Sequence, residues 1–428
     1  MKLDRFLKWR SVWMAAAILM IIVYHSGLGS QEMRLFPLDM LRRYGYGGVD
    51  IFMFASGIGC YASYTRDRDY GRFLKKRALR ILPAYWLVLL VWMLVKVFLC
   101  GEKLYVSQIV GNIFCVQNFT GNGNDFNWYI SAIWLFYLLT PLFVLLVDRA
   151  GSSSSSTGDK GAGSTGGGDK GAGSGDKGAG SAGGGDKSAE NAGAGDNGTG
   201  SAGDGNGDKS AGSRGVGAPS AADGNAAARS SRSVRKRQVL LLLGCLLFTV
   251  SFWNSSTYIV TITRITIFIL GMMVMKRHKE AGDSGIVITK RQMAVMLVLM
   301  AAGCAVLSYG YHHYLDYMWY KGFYWYPYLL IAPALCLLIS LCAEALEKTA
   351  VGRWLLDRLE SLGGVTFEIF MTHITLYYAL QHFIDTGRIP GSVPEDLLWV
   401  SAIVLAIILA YPVKLAATAL SRKASAAS

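Results

Sequence analysis

Ten nearly uncharged apolar stretches recur along this 428-residue chain. Each approaches the ~20 residues a helix needs to cross a hydrocarbon layer about 30 Å thick. They fall near 11–28, 47–64, 79–99, 128–147, 239–252, 257–275, 293–309, 325–342, 364–383 and 397–413. A chain so patterned reads as all-α: a polytopic membrane protein of about ten transmembrane helices with both termini cytoplasmic. The net charge of +13 invites a nucleic-acid partner, but the positions of the charges argue against one. With the N-terminus inside, the inner segments hold 34 of the 42 Lys and Arg residues and the outer loops 6, while Lys96 and Arg264 fall within spans. That asymmetry is the positive-inside rule, and it accounts for the basic charge without nucleic acid.

Residues 151–228 break the pattern. They hold 26 of the 50 glycines and repeat Gly-Asp-Lys-Gly-Ala-Gly-Ser and its variants, with no aromatic residue. Such a segment has no apolar surface to offset the entropy of ordering. The expected organisation is a first membrane part at 1–150 with helices 1–4 and a linker at 151–237 with a basic end. A second membrane part at 238–415 with helices 5–10 and a cytoplasmic tail at 416–428 complete it. The first stretch follows Lys2, Arg5, Lys8 and Arg10 as a signal peptide would, and is read as an uncleaved helix. The seven cysteines form no CxxC pair and read as small apolar residues, and no metal site is expected.

Ionisable side chains inside spans are costly and mark functional sites by default. Five qualify: His25, Asp50, Arg264, Glu368 and His373. At 1.5 Å per residue, His25 and Asp50 fall at one depth in the outer half, where a carboxylate could hold an imidazole as a general base. A cap at the helix end is the plainer reading of His25, and an Arg264–Glu368 pair acting as structural glue is the plainer reading of those two. The inner loop 66–80 holds seven bases, among them Lys75, Lys76, Arg77 and Arg80. These suit either the membrane surface or a phosphate-rich cytosolic ligand such as coenzyme A. Eleven of the twenty residues at 309–328 are aromatic, as expected of an interfacial belt or of a stacking platform for a sugar.

These blocks together resemble acyltransferase family 3, the membrane O-acyltransferases of bacterial surface glycans. Ile21 to His25 resembles the end of that family's first helix, and Gly47 to Gly57 its GVDxFFxxSG signature. Phe73, Lys76, Arg77, Arg80 to Pro83 and Tyr85 resemble RRxxRIxPxY. Trp128 to Ser131 resembles the fourth-helix block. Arg264, Phe268 and Gly271 resemble RxxxFxxG, and Gly363, Thr366, Glu368 to Phe370 and His373 the late EIxxxH block. Two positions depart from the pattern: Met14 stands where an Arg is common, with Arg10 one turn earlier on the same face, and Ile133 stands where a Glu is frequent.

The resemblance implies transfer of an acyl group, acetyl above all, from cytosolic acyl-CoA to a hydroxyl of an extracytoplasmic or lipid-linked glycan. It implies residence in the bacterial inner membrane among its lipids. No tightly bound cofactor is expected, acyl-CoA being the donor substrate. His25 and Asp50 would be catalytic. Lys76, Arg77, Arg80 and Tyr85 would bind acyl-CoA. Arg264, Glu368 and His373 would line a polar path, and Trp128, Trp319 and Trp325 would meet the acceptor. A transporter or flippase of lipid-linked sugars is the alternative reading, and a catalytically inactive scaffold a third.

Overall fold

The computed structural model describes residues 1–28, 36–119, 128–151, 221–252, 256–282 and 285–426. These are helical, with no strand among the described residues; Lys2 and Val287 form an isolated antiparallel bridge. In chain order the helices are α1 (Leu3–Lys8), α2 (Arg10–His25), α3 (Phe36–Tyr44), α4 (Gly48–Asp67), α5 (Tyr70–Leu94) and α6 (Val106–Ile113). Then come α7 (Trp128–Leu138), α8 (Thr140–Gly151), α9 (Ala221–Val250), α10 (Ser256–Ile262), α11 (Ile265–Ala281) and α12 (Lys290–His313). The last are α13 (Leu315–Tyr320), α14 (Tyr328–Leu346), α15 (Ala350–Gly363), α16 (Thr366–Asp385) and α17 (Glu395–Ala426).

Met1–Ser152 with Arg232–Ser428 forms one unit, and Ser153–Ser231 a second. Most of the expected linker, 152–220, lies outside the described residues. Helix α9 begins at Ala221, within the stretch read as linker, where alanines favour helix. The expected tail at 416–428 is likewise mostly helix, because α17 runs on to Ala426 through Ala- and Leu-rich sequence with no breaker after Pro412.

Among the described residues, five helical segments are long and apolar enough to cross a membrane: Tyr70–Leu99, Tyr258–Ala281, Lys290–His313, Phe323–Leu346 and Glu395–Ala426. The α7–α8 pair, bent by 58°, makes a sixth if it is one span. The expected stretches at 11–28, 47–64, 239–252 and 364–383 correspond to α2, α4, the C-terminal half of α9 and α16, which are not in that set. The reason is chemical. Helix α2 has only 16 residues, α4 carries Asp50, Arg66 and Asp67, and α16 carries Glu368, His373, His382 and Asp385. Helices α2, α4 and α16 occupy the centre: α2 packs on α4 and α16, α4 on α11, and α16 on α17. Their inward faces are buried by neighbours, so their polar residues need not meet lipid.

Close approach at the centre depends on glycine. A Cβ on Gly57 of α4 would meet the Phe268 carbonyl of α11, and one on Gly271 would meet the Phe54 carbonyl in return. Small residues at such crossings let helix backbones touch. Tyr377 Oη donates to the Ile22 carbonyl at 3.1 Å, and Thr372 Oγ1 to the Ala406 carbonyl at 3.0 Å, fixing α16 against α2 and α17.

Candidate active site

Helix α2 brings Arg10 to a cluster of bases at one end and His25 to a histidine pair at the other. Arg10 opens it and His25 closes it, about 22 Å apart along the axis. Arg10 reaches a cavity of about 200 Å³ that Arg77 and Arg80 of α5 also line, together with Met14, Tyr129 and Phe370. Arg77 is held in place: it donates to the Gly59 carbonyl at 3.1 Å and lies 5.2 Å from the rings of both Phe73 and Tyr137. Among the described residues, none of the three arginines makes an ion pair. Ile133 lines the same cavity and brings no carboxylate to it. Three guanidiniums facing one space without an acid are suited to a multiply charged anion.

The expected donor residues divide. Arg77 and Arg80 line the cavity, whereas Lys76 is exposed beside it and is not part of its wall. Tyr85 is buried, and its hydroxyl donates to the Asn112 carbonyl at 2.7 Å, away from the cavity. Arg10 and Met14 line the same space, so the charge there comes from Arg10.

At the far end of α2, His25 Nδ1 lies 3.1 Å from Nε2 of His373. His373 is wholly buried, and its Nδ1 is 3.1 Å from the Ile369 carbonyl. A carbonyl accepts only, so Nδ1 of His373 carries the proton. In the neutral ring Nε2 is then bare and accepts from Nδ1–H of His25. By the same logic Nε2 of His25 bears the lone pair, the state a general base needs. Phe370 connects the two ends: it lines the arginine cavity, and its ring centroid is 5.6 Å from that of His373.

Asp50 was expected to hold His25, but the structure pairs it elsewhere. Asp50 Oδ2 lies 3.7 Å from Arg264 Nη2, with both residues buried. Arg264 sits at the start of α11, above the ring of Trp325 at 4.1 Å and that of Trp128 at 4.9 Å. Arg264 Nη1 donates to the Val260 carbonyl, while Arg264 Nε and Asp50 Oδ2 have no hydrogen-bond partner among the described residues, so the indoles and the carboxylate compensate the buried guanidinium only in part. Two of the three tryptophans expected to meet the acceptor therefore cover Arg264, and Trp325 is itself buried. The side chain of Trp319 lies outside the described residues. Glu368 is also buried and lies within electrostatic reach of Arg80 and Lys414, not against Arg264.

The sequence reading missed a second cavity, of about 230 Å³. It is lined by Tyr24, Tyr46, Tyr311 and Tyr324 with Arg42 and Arg43. Its signal was present: Arg42 and Arg43 are adjacent bases in a loop expected to lie outside, where bases are scarce.

A family model described as an acyltransferase domain matches residues 15–156 and 226–416, well over half of the chain. His25, Asp50, Arg77, Arg80, Arg264 and His373 fall inside that range, and Arg10 lies before it. No curated protein and no solved structure matches the chain.

Proposed function

Because the chain belongs to acyltransferase family 3, we propose that it is a membrane O-acyltransferase. It moves an acyl group, acetyl in the simplest case, from cytosolic acyl-CoA to a hydroxyl of an extracytoplasmic or lipid-linked glycan. In this reading the chain crosses the bacterial inner membrane ten times with both termini cytoplasmic. The 34-to-6 division of bases supports that topology; α2, α4 and α16 count as spans sheltered from lipid by the rest, and the apolar end of α9 as the tenth.

The observation that carries the reading is the cavity with three unpaired arginines whose wall, Phe370, touches His373. Arg10, Arg77 and Arg80 take the phosphates of coenzyme A, with Lys76 at the rim. Glu368, near Arg80, borders the polar path into the bundle. The pantetheine arm then points past Phe370 toward the histidine pair. His25 Nε2 removes the proton from the acceptor hydroxyl. The resulting oxygen nucleophile attacks the thioester carbonyl carbon, the C–S bond breaks, and the coenzyme A thiolate takes the proton back from the His25 imidazolium. The orienting role first expected of Asp50 passes to His373, and Asp50 with Arg264 holds α4 to α11.

The test is acetyl-CoA turnover by the purified protein. His25→Ala should abolish turnover and leave the melting curve in place; full activity in that variant overturns the reading. Binding of labelled acetyl-CoA to the unaltered protein separates this reading from a flippase, which has no use for the donor.

A further inference from the structure

The second cavity is separated from His25 by the ring of Tyr24, and its chemistry differs from that of the first. Tyr24 precedes His25 in the chain, lines the cavity and sets its ring edge-on to the imidazole at 4.9 Å between centroids. Tyr46 meets Tyr24 edge-on at 5.3 Å and Tyr324 at 6.2 Å, so aromatic faces and phenolic hydroxyls surround the space. Arg42 and Arg43 enter from α3 and share one acid: Asp39 pairs with Arg42 Nη2 at 3.4 Å and with Arg43 Nε at 2.7 Å. Arg43 Nη1 also donates to the Tyr311 hydroxyl at 3.2 Å, which fixes its plane. Among the described residues, Arg42 Nε and Nη1 and Arg43 Nη2 make no further hydrogen bond. The wall thus offers two guanidiniums against one carboxylate, in forks that match the paired oxygens of a carboxylate or phosphate. The tyrosines offer apolar faces with polar tips of the kind that grip a ring bearing hydroxyls. The volume is below that of a site for a whole drug-sized ligand, so it fits one residue of a longer chain.

We propose that this cavity is the acceptor subsite for an acidic sugar residue, whose carboxylate or phosphate binds Arg42 and Arg43 while a hydroxyl of the same or the adjoining residue faces His25. The proposal rests on the reading that His25 activates an acceptor hydroxyl. It narrows the acceptor from any glycan to an anionic one.

Ligand binding without any acyl donor tests it. The full-length protein in detergent is titrated with glucuronate, glucose 6-phosphate and glucose, and binding is read by saturation-transfer difference NMR. These probes share one ring and differ in the source of charge. At least one acid should bind about tenfold more tightly than glucose, the worth of one charge-assisted hydrogen bond. Which acid prevails distinguishes carboxylate from phosphate. Arg42→Gln should remove that preference, and Asp39→Asn, which deletes the competing acid, should strengthen it. Both variants retain the Arg43–Tyr311 contact that ties α3 to α12, so neither depends on losing that tether. Equal binding of all three probes, or a preference unchanged in both variants, overturns the proposal. Acetyl-CoA turnover by the same preparation reports separately on the acyl-transfer reading, so the two can fail independently.

Discussion

His25 and His373 meet nitrogen to nitrogen at 3.1 Å, although 348 positions separate them in the chain. The Ile369 carbonyl, one turn before His373, decides which nitrogen donates. A backbone acceptor therefore sets the tautomer of one ring, and that ring sets the tautomer of the next. In catalytic dyads the same task usually falls to a carboxylate, which also stabilises the imidazolium. A neutral imidazole orients without attracting that charge.

If His373 positions His25, removing its acceptor should lower kcat without changing donor affinity. His373→Leu should lose about a hundredfold in kcat, at the low end of what general-base catalysis contributes. His373→Gln restores a carbonyl acceptor near the same place and should recover part of the loss. Steady-state kinetics with acetyl-CoA check this. A fall in kcat with both variants alike would assign His373 to packing alone.

The cavity of Arg10, Arg77 and Arg80 should act on the other constant. A charge-assisted hydrogen bond contributes about 1.5–3 kcal/mol, so Arg77→Gln and Arg80→Gln should each raise KM for acetyl-CoA by about tenfold or more. Arg10→Gln should do the same, although Arg10 precedes the residues matched by the family model. Ile133→Glu places a carboxylate in the same wall and should weaken donor binding further, because it competes with the coenzyme phosphates. Unchanged KM in all four variants would leave these bases as topology signals.

Neither the exposure of His25 nor the burial of Lys276 was legible, but the helical character of the apolar stretches and the burial of Asp50, Arg264, Glu368 and His373 were, from apolar length and local charge. So were Arg77 and Arg80, which stand at helical spacing in a basic run before a span. Partner choice was not legible. Asp50 could be assigned to His25 on depth alone, because depth fixes the axial coordinate and leaves the angle around the helix open. The structure turns Asp50 toward α11, where Gly57 and Gly271 bring the two backbones together and put Arg264 in reach. The tryptophans misled for a related reason. Aromatic enrichment reports a wet-to-apolar boundary, but not whether a ring faces a ligand or a neighbouring guanidinium, as Trp128 and Trp325 do.

The Asp50–Arg264 pair gives a stability prediction. Arg264 is 1% exposed and Asp50 2%. Removing one member of a buried pair costs about 3–5 kcal/mol, because the other charge is stranded. Arg264→Met should therefore lower the melting temperature sharply, and Asp50→Asn combined with it should recover much of the loss. Activity of the double variant separates roles: if the pair only holds α4 to α11, turnover returns with stability. Turnover that stays absent in a well-folded double variant would give Asp50 a part in the chemistry.

Phe370 stands between the donor cavity and the histidines, 4.9 Å from the Tyr129 ring on one side and 5.6 Å from His373 on the other. If the acyl group enters from the arginines as proposed, it passes this ring, whose bulk then limits the acyl chain that reaches His25. Phe370→Ala removes that wall, and the space left behind extends the cavity. Truncating a buried Phe costs about 3–5 kcal/mol of stability, so the comparison must be a ratio of substrates within one folded preparation. The kcat/KM ratio of butyryl-CoA to acetyl-CoA should rise by about tenfold, since one or two methylenes in an apolar pocket discriminate by 1–3 kcal/mol. Phe370→Trp should move the ratio the other way. A ratio that moves in neither variant would place the acyl path on another side of α16.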